Sequence, residues 1–85
     1  MSRKIYIGNL PDSATENALS KLLSGHGNVA RIKMGLDRGT GRSLGYAFVE
    51  MATTDDAQRV IAALDGTLYQ GWTLTVRTAT PKRAA

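Results

Sequence analysis

The chain has no cysteine, one histidine, two prolines and only short apolar runs, and each shortage removes a class of function. Without cysteine there is neither a disulfide framework nor a thiolate metal site, and a reducing compartment is the simpler setting. His26 is the only histidine, so no metal cluster is expected. No apolar run approaches the ~18 residues that a membrane span needs. The apolar stretch from Ile5 is broken by Gly8, Asn9 and Pro11, which does not read as a signal peptide. Gly39-Thr40-Gly41 begins a dinucleotide-binding pattern, but Leu44 stands where its third glycine belongs and a strand follows rather than a helix. With no phosphate-binding loop and no catalytic cluster, the chain is read as a non-enzyme without cofactor. It is expected to be cytoplasmic (nuclear in a eukaryotic cell), off the membrane and monomeric.

What is present is a small basic domain. The 85 residues carry eleven Lys and Arg against seven Asp and Glu, a formal charge of +4. A chain this short buries only about 60% of its unfolded surface, so its core is thin. A modest basic excess suits a polyanionic partner, but its placement matters more than its sum.

Hydrophobic periodicity gives the order βαββαβ. Residues 3–7 alternate as a strand and end in the turn Gly8-Asn9-Leu10-Pro11. Ser13 with Glu16 has capping-box spacing, with Thr15 as the alternative cap, and Ala18, Leu19, Leu22 and Leu23 share a helical face. Residues 29–34 and 45–51 read as strands around a polar, glycine-rich loop. Thr54 is read as the cap of a second helix, with Ala57, Val60, Ile61 and Leu64 as its apolar stripe and Asp65-Gly66 as its end. A short hairpin-like connection, 67–71, leads to a last strand over 72–78. The expected fold is α+β, a ferredoxin-like four-stranded antiparallel sheet. Right-handed crossovers put both helices on one face. A domain is expected over 1–78 and a short basic tail over 79–85, around Pro81, Lys82 and Arg83.

Alternation then assigns the faces. Lys4 sends Tyr6 outward with it, away from Ile5 and Ile7. The third strand is apolar on both sides, and Glu50 breaks the tie, so Tyr46 and Phe48 point outward too. Ala30, Ile32 and Met34 are expected inside with Arg31 and Lys33 outside; Leu74 and Val76 inside with Arg77 outside. Trp72 has the parity of Leu74 and is read as core or edge packing, and His26 as structural. Three of the five aromatics therefore fall on the uncovered face, interleaved with Lys4, Arg31, Lys33 and Arg77. Flat rings for bases and cations for phosphates are what single-stranded nucleic acid requires. Of the basic residues, only Lys21 and Arg59 fall on the helices.

Ile5-Tyr6-Ile7-Gly8-Asn9-Leu10 and Leu44-Gly45-Tyr46-Ala47-Phe48-Val49-Glu50-Met51 resemble the two signature segments of the RNA recognition motif family. Five of the seven constrained positions of the longer one agree: Gly45, Tyr46, Ala47, Phe48 and Val49. The resemblance covers residues 3 to about 78, and the short chain with its basic tail is similar to small single-domain bacterial members. It implies single-stranded RNA as partner, with single-stranded DNA admitted by the same chemistry, and a post-transcriptional role. Tyr6 and Phe48 would each stack on a base and Tyr46 would pack against the sugars between them. Lys4, Lys33, Arg77, Arg31 and Arg42 are the accompanying cations. Leu44 departs from the pattern where a Lys or Arg normally meets phosphate, and Met51 replaces an inward aromatic. The alternative is a protein–protein interaction module using the same face.

Overall fold

The computed structural model describes residues 3–79. Strand β1 (Lys4–Gly8) leads to helix α1 (Glu16–Ser24), strands β2 (Val29–Leu36) and β3 (Ser43–Met51), helix α2 (Thr54–Leu64), the two-residue strands β4 (Leu68–Tyr69) and β5 (Trp72–Thr73), and strand β6 (Thr75–Thr78). Four strands form one antiparallel sheet in the order β2-β3-β1-β6, while β4 and β5 pair only with each other. This is the ferredoxin-like arrangement expected from the sequence.

The helices cover one face. Helix α1 packs on β2, and α2 lies across β1, β3 and β6. Between helices and sheet sits a single core built from Ile5, Ile7, Val49, Met51, Leu74 and Val76 of the sheet side and Leu19, Leu23, Ala57, Val60 and Leu64 of the helices. Met51 is fully buried, so the substitution at that signature position is a packing change. No aromatic ring is among the buried core residues; Tyr69 only packs against its edge.

Helix starts follow the local hydrogen-bond chemistry. Thr15, not the Ser13–Glu16 pair, caps α1: its backbone is extended and its Oγ1 accepts from the Ala18 N–H at 3.1 Å. The cap of α2 is Thr53, a correction of one residue from Thr54, which is already helical. Thr53 Oγ1 accepts from the Asp56 N–H at 3.0 Å and donates to Asp56 Oδ2 at 3.0 Å. Arg59 donates to the other oxygen of this buried carboxylate at 2.9 Å. Replacing Thr53 by Ala is therefore expected to cost about 1–2 kcal/mol, while Thr54→Ala stays near neutral because alanine suits a helix interior. Thermal melts of the two variants check this, and equal losses would place the cap wrongly.

Two further corrections concern strands. Ala30 is exposed rather than inward, because β2 shifts register between Val29, paired with Met51, and Arg31, paired with Glu50. Such a bulge adds one residue and moves the alternation by a step; Val29 packs against the core in its place. The last strand does not run unbroken over 72–78. Leu74 turns its backbone away from β1, donating to the Thr67 carbonyl at 2.8 Å and accepting from the Gly66 N–H at 2.9 Å. Trp72 therefore belongs to the β4–β5 hairpin, whose Gln70 and Gly71 take the positive φ values of 52° and 85° that a tight two-residue turn needs. The residue is 47% exposed, so of the two readings, core or edge packing, the core one fails. His26 is half-buried after α1, its backbone N–H donating to the Leu23 carbonyl at 2.9 Å.

Candidate nucleic-acid interface

Among the described residues no helix lies on the sheet's second face, and strand register arranges its side chains in three rows. In the first, Lys4 of β1 and Arg31 of β2 flank Glu50 of β3. In the second, Arg77 of β6, Tyr6, Phe48 and Lys33 lie side by side across all four strands. The third pairs Gly8 with Tyr46. Cations thus stand at both ends of the ring row and above it, and the rings occupy the middle.

The three rings form one platform. The Tyr6 and Phe48 centroids are 5.5 Å apart at 57°, and those of Tyr46 and Phe48 are 5.9 Å apart at 71°. The first pair is tilted and the second edge-to-face, both at separations where aromatic rings attract. Phe48, in the centre, is 46% exposed, and both tyrosines are half-buried. Two glycines explain the tyrosines' posture. A Cβ at Gly8 would come within 2.5–2.9 Å of the Tyr6 ring and hydroxyl, and one at Gly35 would collide with the Tyr46 ring. Each ring leans over a residue with no side chain, and this lowers it onto the sheet.

Open clefts lie on either side of Phe48. One, of about 380 Å³, is lined by Lys4, Arg31, Lys33, Phe48 and Glu50 among others; the other, of about 210 Å³, by Lys33, Gly35, Tyr46 and Phe48. Lys33 borders both. The Ala79 N–H donates to the Lys4 carbonyl at 2.9 Å, continuing the pairing beyond β6. The remaining tail cations, Lys82 and Arg83, lie outside the described residues.

Of the sequence-derived residues, the structure brings Lys4, Tyr6, Arg31, Lys33, Tyr46, Phe48 and Arg77 to the open face. Arg42 is apart from them, in the β2–β3 connection, paired with Asp12 at 3.2 Å and lining neither cleft. Leu44 presents its apolar side chain to solvent. Sequence reasoning used Glu50 only to orient β3 and missed both its place in the frame and the glycines beneath the rings. The i and i+2 parity of Tyr6 with Gly8 was a usable signal; Gly35 under Tyr46 needed the cross-strand register.

The family model of the RNA recognition motif matches residues 5–75, from the second residue of β1 to the first of β6. The chain belongs to the RNA recognition motif family. This motif is 42% identical over 78 residues to RbpE of Nostoc sp., named as a candidate RNA-binding protein; the match covers 92% of this chain and 79% of RbpE. It is 40% identical to a 28 kDa chloroplastic ribonucleoprotein of Spinacia oleracea, covering 98% of this chain and 36% of that longer protein. Among solved structures it superposes on the Rna15 recognition motif with bound RNA (GU) at a TM-score of 0.90, with 32% identity, covering 95% of this motif and 86% of that chain. Among the described residues of the motif, no helix is long and apolar enough to cross a membrane.

Proposed function

We propose that the helix-free face binds single-stranded RNA, with Tyr6 and Phe48 each stacking one base and Tyr46 packing against the sugars between them. The observation that carries this reading is the ring platform itself: Phe48 half exposed between two tyrosines at 5.5 and 5.9 Å, in a row that ends in Arg77 and Lys33. An exposed aromatic cluster is unfavourable in water and marks an interaction surface. Bases satisfy it because every base has a flat face. Lys4, Arg31, Lys33 and Arg77 would meet phosphates along the strand, and Arg42 would act at longer range. Membership in a family that includes RNA-bound structures supports the same partner.

The face offers room for about two to four nucleotides, and its few charges point to micromolar affinity, on the order of −7 to −8 kcal/mol. Neutralising about three phosphates of a single strand gives a slope near −2 in a plot of log affinity against log salt concentration. A slope near zero would remove the cations from the mechanism. An NMR titration with mixed-sequence oligonucleotides tests the reading as a whole. Shifts concentrated at Tyr6, Tyr46, Phe48 and their neighbours are the expected result. No shifts, with self-association or capture of a protein segment on the same face, would replace RNA by a protein partner.

A further inference from the structure

Glu50 is an acid at the centre of a basic frame. It stands between Lys4 and Arg31 in the first row and lines the cleft beside Phe48. Its side chain keeps 22% of its exposure, and Oε2 accepts from Arg3 Nη2 at 2.8 Å. A carboxylate here opposes the approach of phosphate, so the one point of the cleft that it occupies, among the cations Lys4, Arg31 and Lys33, is poorly suited to backbone. It suits a group that donates hydrogen bonds. An ionised carboxylate accepts only, and its two oxygens offer about four lone-pair sites, of which the Arg3 bond occupies one.

Geometry selects the donor. Glu50 follows Phe48 by two residues on the same strand, so their Cα atoms are separated by about 6.8 Å along it. A base stacked on the Phe48 ring and extending toward the first row presents its edge to the carboxylate. Guanine alone among the four bases has two adjacent donors on its pairing edge, N1–H and N2–H, spaced to meet both oxygens of one carboxylate. Adenine and cytosine offer a single amino group beside an acceptor, and uracil one N–H between two carbonyls; each would set an acceptor against the charged oxygens. Charge-assisted paired bonds are the strong kind.

We infer that the Glu50 carboxylate makes the cleft beside Phe48 a guanine-selecting subsite. The inference rests on the proposed RNA-binding face and adds a base preference to it. Lys4 and Arg31, on either side, would then take the flanking phosphates and offset the carboxylate's repulsion.

Fluorescence anisotropy with three labelled RNA pentamers tests it: uridine throughout, or with one central guanosine or one central inosine, which keeps N1–H but lacks the N2 amine. The parent protein is expected to bind the guanosine pentamer about tenfold more tightly than the uridine one, with inosine well below guanosine. Glu50→Gln brings the guanosine pentamer down to the level of the uridine one. Arg3→Gln removes the same ion pair but leaves the carboxylate, so it keeps the guanosine preference, which a purely structural Glu50 would not predict. Equal binding of guanosine and inosine pentamers, or a preference that survives Glu50→Gln, overturns the guanine subsite and leaves RNA binding standing. Failure of every pentamer to bind overturns both.

Discussion

Replacing Phe48 by alanine is expected to weaken binding of a short RNA by about tenfold or more while the protein stays folded. Base stacking on an aromatic platform contributes about 1–3 kcal/mol per base, a large part of a micromolar affinity of about −8 kcal/mol. The stability side is smaller. Phe48 is 46% exposed, and its ring touches Tyr6 on the neighbouring strand and Tyr46 two residues back on its own; a cross-strand aromatic pair contributes roughly 0.2–1 kcal/mol. The melting temperature should therefore move by a few degrees only. Tyr6→Ala should behave alike, and because the two rings sit in register on adjacent strands, the double variant should lose measurable binding altogether. Anisotropy titrations beside thermal melts decide the matter. If both single variants bind as tightly as the parent, stacking is not how this face works.

Replacing Ile7 by alanine, one residue along the chain from Tyr6, is expected to do the reverse. Ile7 is fully buried among residues of both helices and the sheet. Truncating a buried isoleucine costs about 2–5 kcal/mol, because the transfer energy of the lost carbons is joined by that of the cavity they leave. A domain of this length has a total stability of only about 4–13 kcal/mol, so the loss is a major fraction. Each kilocalorie lowers the melting temperature by roughly 4–8 °C at this size, and a drop of more than about 10 °C is expected. Molecules that remain folded at low temperature should bind RNA nearly as the parent does, since the open face is unaltered. A melting temperature close to the parent's would mean that the two sides of β1 have been assigned the wrong way round.

These opposed outcomes for adjacent residues rest on alternation, which was legible in the sequence because a charged residue marks the outer face of each strand in question. Lys4 fixed the side of Tyr6, Glu50 that of Tyr46 and Phe48, and the structure has all three rings on the helix-free face. Where alternation was interrupted, the reading slipped. The extra residue near Ala30 left no mark in composition, since a bulge moves the parity without requiring glycine or proline. The start of the last strand was hidden for a related reason: Trp72-Thr73-Leu74-Thr75-Val76 alternates without a flaw, yet Leu74 makes its backbone bonds to residues 66 and 67. Adjacent threonines hid the start of α2, because Thr53 and Thr54 have the same capping chemistry and differ only in which of them the preceding strand leaves extended.

By itself the sequence determined the order of elements, the burial of an aliphatic core and the gathering of three aromatics on one open surface, because these follow from periodicities of two and 3.6 residues and from where charges interrupt them. Tertiary structure alone decided which residues, distant in the chain, share a row. Lys4, Glu50 and Arg31 meet only because β1 and β2 both pair with β3 in a particular register. Gly35 lies beneath Tyr46 for the same reason. Register depends on hydrogen bonds and packing summed over whole strands, so no short stretch of sequence contains it. The composition of the surface was local information; its arrangement into a cleft with one acid among cations was not.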